Sequence, residues 1–222
     1  MKYIKRSQRI IETRGWAGFL QFFYSRLARI SGDLVYEKSL AVDAGSNGVQ
    51  AHPGSFLAYT AHVIDASNLH ASQNRWLVQS IMQGENLEYL EGLQKNDCMV
   101  AVTHGRTVVH TSFVQFDTSY KKLLNENNDT PLIGNCNTLS SHRGQGLYPR
   151  AIAICCDEIA SRGCQRILIS CAPDNVASIA GIKKAGFVEI REVKTLHFLS
   201  KIYFQKVISS RHSKIAYRAG IL

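Results

Sequence analysis

Residues 131–187 constrain this chain more than any other stretch, because apolar runs of strand length alternate there with segments of helix length. Pro131-Leu-Ile-Gly-Asn-Cys-Asn-Thr-Leu139 reads as a strand. Pro149 to Ser161 reads as a helix rich in Ala, Ile and Cys, stopped by Gly163. Arg166-Ile-Leu-Ile-Ser-Cys-Ala172 has the continuous apolar character of a buried strand. Asp174 is placed to cap a helix over 175–185 that Gly186 ends. Two further strands fit within 187–208. This spacing predicts an α/β (α+β) fold in which helices pack on a mixed sheet.

The preceding residues extend the same architecture. Residues 55–64 have strand character, and 75–94 carry Trp76, Leu77, Ile81, Leu87, Leu90 and Leu93 at helical spacing. Cys98–Thr103 and Thr107–Val114 are β-rich runs joined by His104-Gly105-Arg106, a hairpin signal. Residues 115–131 are polar and read as an exposed loop. Residues 7–30 read as one or two helices weakened by Gly15 and Gly18, and 43–54 as a loop. The expected organisation is a basic N-terminal helical arm and loop over 1–54, one domain over 55–208 and a basic tail over 209–222. A length of 222 residues suits one domain plus an appendage.

Composition narrows the class. No run of 18 apolar residues exists to span a membrane. The basic start, Met1-Lys-Tyr-Ile-Lys-Arg6, lacks the apolar stretch of a secretory signal, so a cytoplasmic location is expected. The six cysteines include the adjacent Cys155 and Cys156 but no CxxC pair, which suits free, mostly buried thiols and no zinc site. The net charge of +9 is concentrated at the ends: +6 over 1–30 and +5 over 201–222, leaving −2 between them. Such ends suit a polyanionic small molecule or an anionic membrane surface, the latter through Trp16, Phe19, Phe22 and Phe23 interleaved with Arg14, Arg26 and Arg29. An ordinary core-facing helix with a solvated basic face explains the same pattern. No nucleic-acid-binding motif accompanies the charge.

The turn Ser140-Ser-His-Arg-Gly-Gln-Gly-Leu-Tyr-Pro149 carries the chemistry. A helix start offers unpaired N–H groups and a positive dipole end, glycines allow close approach, and Arg143 adds charge. That combination reads as a pyrophosphate cradle. It is not a P-loop, which needs Gly-Lys-Ser/Thr, nor the dinucleotide fingerprint, since Gly144-Gln-Gly146 is followed by Leu, Tyr and Pro.

Arg143-Gly-Gln-Gly-Leu-Tyr148 resembles the coenzyme motif of the GNAT family, the acyl-CoA-dependent N-acyltransferases. Asn175-x-x-Ser178, followed by Lys184-Ala-Gly-Phe187, resembles that family's second motif. The resemblance covers about 130–190 in detail and implies a mostly antiparallel mixed sheet that binds acetyl-CoA. By position it implies that Thr138 and Leu139 pair with the pantetheine arm. Amides of Arg143, Gly144, Gln145, Gly146, Leu147 and Tyr148 would hold the pyrophosphate, and Asn175 would contact pantetheine unless it serves only as a helix cap. Two positions depart from the family pattern: Tyr148 stands where Gly or Ala is usual, and Ile182 where many members carry a Tyr that protonates the departing thiolate. The Gly-Leu-Tyr-Pro version resembles a subgroup linked to amino sugars of bacterial surface polysaccharides.

The implied reaction is direct attack of an amine on the thioester, with an amide near Asn137–Leu139 stabilising the oxyanion. His110, His142 and His197 are the candidate bases. The expected acceptor is a small-molecule amine, in particular a nucleotide-linked amino sugar. A protein or polyamine amine, a non-catalytic acyl-CoA-binding module and a homodimer all remain compatible with the sequence.

Overall fold

The computed structural model describes residues 28–40, 58–82, 90–124, 126–127, 129–198, 202–209 and 214–221. The expected helices over 7–27 and the loop over 43–54 lie outside these residues. The chain divides into two compact units, one spanning Leu34–Ile190 and the other combining 1–33 with 191–222.

In the Leu34–Ile190 unit the strands are the inner part of β1 (Ala28–Ser39), β2 (Tyr59–Asp65), β3 (Cys98–His104), β4 (Thr107–Gln115), β5 (Leu132–Thr138) and β6 (Arg166–Cys171). They lie in the order β2-β3-β4-β5-β6-β1. Every adjacent pair is antiparallel except β5–β6. The helices are α1 (Arg75–Met82), α2 (Ser119–Leu124), α3 (Leu147–Ser161) and α4 (Val176–Lys184). The parallel pair has the required helical crossover, α3, between its strands.

Both faces of this sheet are covered, and the strand period of two sorts side chains between them. On β3, Cys98, Val100 and Val102 join the core that includes Ile152, Cys155 and Ile159 of α3. Met99 and Ala101 join the opposite core with Leu77 and Ile81 of α1. Burial on both sides explains why β3 reads as continuous apolar sequence. The β3–β4 hairpin turns at Gly105, whose φ of 58° favours glycine.

The structure corrects four expectations. Residues 28–30 belong to a strand, and Leu34–Ser39 pair with β6, well inside the domain that the sequence drew as starting at 55. Leu34-Val-Tyr36 is too short to announce a strand; non-local pairing makes it one, and Glu37 is held there by Arg166 at 2.8 Å. Arg166 also reaches Glu126 and Thr130 Oγ1, each at 2.8 Å. Within the expected loop 115–131, α2 forms because Leu124 is buried and the buried Lys121 ammonium donates to the Phe116 carbonyl. Asn175, not Asp174, caps α4, its Oδ1 accepting from Ser178 N–H at 3.1 Å.

The fourth correction concerns the tail. The second unit contains β7 (Val188–Phe198, its part from Arg191), β8 (Ile202–Ser209) and β9 (Ile215–Ile221), paired as an antiparallel meander. Residues 215–221 are thus a strand. A buried Gln205 amide donates to Thr195 Oγ1 at 2.8 Å and fixes the β7–β8 register.

Candidate functional site

The site follows from where β5 leaves its parallel neighbour. β5 and β6 pair only at Leu132–Leu168 and Ile133–Ile169. On its other edge β5 continues beside β4 as far as Thr138 opposite His110, with a register shift between Thr111 and Phe113. Asn135, with φ of 50°, supplies the extra residue of this bulge. Asn is among the few non-glycine residues that tolerate this region. Beyond Gly134, β5 therefore stays with β4 and parts from β6.

The turn that follows leads from the end of β5 into α3. Leu139 N–H donates to Val109 carbonyl at 2.9 Å, and its carbonyl accepts from His142 N–H at 2.9 Å. Both backbone groups of Leu139 are thus engaged within the protein, unlike the expectation that they pair with a ligand. Alternation along a strand turns Thr138 to the opposite edge, where its carbonyl accepts from Arg143 Nε at 3.1 Å. Gly144 and Gly146 have φ of 76° and 74°, and a Cβ on either would meet no atom within 4 Å. Gly146 is the N-cap of α3; it brings no side chain to the first-turn amides, and no acidic residue sits in that turn. Open space, left-handed glycines and a helix start without a side-chain cap suit an anion. Gln145 Oε1 accepts from Tyr59 hydroxyl, and the Tyr59, His104 and His142 rings cluster with centroids 5.2–6.2 Å apart.

Beneath the opening runs a line of polar side chains. Ser112 hydroxyl donates to Cys136 Sγ at 3.2 Å. Having spent its proton there, Ser112 accepts from His110 Nε2–H at 2.8 Å, and His110 Nδ1 accepts from Thr138 hydroxyl at 2.7 Å. Burial pushes His110 down to about 4, so the imidazole is neutral at neutral pH, and the Cys136 thiol up to about 11. Burial also raises the pKa of Tyr148, whose ring centroid lies 6.0 Å from that of His110.

Of the candidate bases, His110 lies beside the opening with both nitrogens taken by hydroxyls. His142 lies on the phosphate-type turn, 2.9 Å from Ser141 Oγ. His197 belongs to the other unit, 3.2 Å from Ser31 Oγ. Ile182 is fully buried in the α3 core. The sequence reading missed Tyr59, Ser112, Cys136 and Gly181. Only the β-period i, i+2 spacing of His110 and Ser112 hinted at a shared face. All six cysteines are free thiols. Among the described residues no group of three or more His, Cys, Asp and Glu could hold a metal ion, and no helix is long and apolar enough to cross a membrane.

A family model described as acetyltransferase (GNAT) family matches residues 65–187. No curated protein matches the chain. Among solved structures, a GCN5-related N-acetyltransferase-like protein from Streptococcus suis is 14% identical over 84% of this chain and 68% of its own, with a TM-score of 0.51. A GCN5-related N-acetyltransferase from Sphaerobacter thermophilus is 14% identical over 84% of this chain and 57% of its own, at 0.50. A GNAT-family acetyltransferase from Colwellia psychrerythraea is 13% identical over 84% of this chain, at 0.49, and this chain spans 63% of its length. At these identities the likeness concerns the fold.

Proposed function

The chain belongs to the acetyltransferase (GNAT) family, and from that premise we propose that it transfers an acetyl group from acetyl-CoA to a primary amine. The observation that carries this reading is the coincidence of two features: β5 parts from β6 just where an α-helix without a side-chain cap begins behind two left-handed glycines. A strand edge freed from its ladder suits an amide-bearing arm, and the helix start suits its diphosphate. Acetyl-CoA has both.

In the reaction, the amine nitrogen bonds to the thioester carbonyl carbon, the C–S bond breaks, and the proton lost by nitrogen ends on the thiol sulfur. The chain's own part is binding and orientation. Amides of Gly144 to Tyr148 and the Arg143 guanidinium hold the diphosphate, while the β5 edge beyond its pairing with β6 aligns the arm. An amide near the Asn135 bulge stabilises the developing oxyanion. His110 is a positioning residue, since it holds the Thr138 hydroxyl and keeps no nitrogen for a substrate. His142, next to the turn, is the better candidate to accept the amine's proton.

For the acceptor we propose a nucleotide-linked amino sugar of surface polysaccharide synthesis. The Gly146-Leu-Tyr-Pro149 sequence and the basic ends of the chain support it. The same basic ends would hold the protein, as a cytoplasmic enzyme, against the anionic inner face of a membrane.

Thermal unfolding with and without acetyl-CoA tests the coenzyme site. Ligand at 100 times its Kd adds about 2.7 kcal/mol to stability, a rise of several degrees. We expect that rise in the wild type and a smaller one in Arg143→Ala. No rise at millimolar acetyl-CoA overturns the reading.

A further inference from the structure

Building on the acetyl-CoA reading, we propose that Tyr148 fixes the acyl-chain length of the donor, admitting two- or three-carbon groups and refusing longer ones. Tyr148 leaves the first turn of α3 and reaches across to α4. Its ring lies against Gly181, so close that a Cβ there would fall 2.5 Å from Tyr148 Cδ1. Its ring centroid lies 6.0 Å from that of His110 on β4, and Tyr148 and Cys136 of β5 pack against the same core. Cys136 follows Asn135, the bulge residue at which β5 has already left β6.

The ring therefore stands on the helix side of the opening, between α4 and the His110 side of the sheet. It is seated in the Gly181 notch, and a planar ring there cannot fold aside as a Met or Leu would. Behind it the volume is filled: Ile182 is fully buried, and the His110 ring centroid lies 6.0 Å from that of Tyr148. An acyl group arriving along the free edge of β5 reaches the bulge and then this ring. Two or three carbons reach little beyond the thioester carbonyl. Every methylene after the third carbon needs buried volume that Tyr148 occupies, and one methylene in a fitted apolar site changes affinity by roughly tenfold or more.

Binding reads this out without knowledge of the acceptor. The Kd of coenzyme A and of acetyl-, propionyl-, butyryl- and hexanoyl-CoA is measured by calorimetry on the full chain, for the wild type, Tyr148→Ala and Tyr148→Phe. In the wild type, hexanoyl-CoA should bind at least tenfold more weakly than acetyl-CoA. Tyr148→Ala should bring the two within about threefold, while Tyr148→Phe, which keeps the ring, should retain the wild-type ratio. Wild-type protein that binds hexanoyl- and acetyl-CoA equally overturns the proposal, whether or not the variants fold. So does an unchanged ratio in Tyr148→Ala. A wild type that binds none of these ligands, coenzyme A included, instead overturns the coenzyme reading on which the proposal rests.

Discussion

The ring of Tyr148 occupies the space that a side chain at Gly181 would need: a Cβ built on Gly181 would lie 2.5 Å from Tyr148 Cδ1 and 2.9 Å from Cε1. Gly181 sits inside α4, where glycine ordinarily costs about 1 kcal/mol relative to alanine. Gly181→Ala should therefore stabilise an isolated α4. In the folded chain it meets a ring packed against the α3 core, and overpacking of this kind costs about 1–3 kcal/mol. The clash should win, giving a net loss of about 1 kcal/mol in urea unfolding. In a Tyr148→Ala background the same substitution should become neutral or stabilising, and that reversal of sign is the diagnostic result. Stabilisation by Gly181→Ala alone would mean that the ring does not lie over α4.

His110 makes stability depend on pH in a defined window. Burial lowers its pKa from the ordinary 6.5 to about 4, so the folded protein favours the neutral imidazole. Above pH 6.5 neither state binds the proton and the full stability is present. As pH falls from 6.5 towards 4, only the unfolded chain takes it up, and stability drains away by up to about 3 kcal/mol. Below pH 4 this loss is complete. Urea unfolding of the wild type and His110→Gln at pH 7 and at pH 4.5 isolates the effect, because every other titrating group is common to both. The wild type should lose the more of the two; equal losses would show that His110 is not the buried neutral group.

The parts of the site legible in the sequence are those fixed locally. A glycine needing a positive φ, a proline in the first turn and an apolar strand run on either side are all short-range signals, so β5, the Gly144–Gly146 turn and α3 could be read directly. The missed parts depend on register. His110, Ser112 and Cys136 meet only because a bulge at Asn135 offsets β5 against β4, and nothing in the composition of 132–138 announces that offset. β1 and β9 are strands because partners exist for them on β6 and β8. Read alone, Leu34-Val-Tyr36 looks like a linker and 215–221 like a tail. Residues 115–131 misled for a related reason: their polarity advertised a solvated loop, whereas the Lys121 ammonium donates to the Phe116 carbonyl in the interior.

Asp174 and Asn175 are adjacent and both suited to cap a helix, and the geometry chooses between them. Asn175 Oδ1 accepts Ser178 N–H at 3.1 Å, the bond expected of a cap to the third residue of its helix. Asn175→Ala should cost about 1 kcal/mol, and Asn175→Asp, which keeps the acceptor and adds charge at the helix start, should restore most of it. Asp174→Ala, an exposed change that removes no cap bond, should stay within about 0.5 kcal/mol of the wild type. The comparison also bears on the opening, because the helix that Asn175 caps carries Gly181, against which the Tyr148 ring lies. Fraying of the first turn of α4 should therefore loosen Tyr148. Tyrosine fluorescence from one Tyr among nine is too diluted to show this. Hydrogen exchange at the Ser178 amide is direct: it should quicken in Asn175→Ala, recover in Asn175→Asp and stay unchanged in Asp174→Ala. Faster exchange in Asp174→Ala instead would transfer the cap to Asp174 and detach Asn175 from the support of Tyr148.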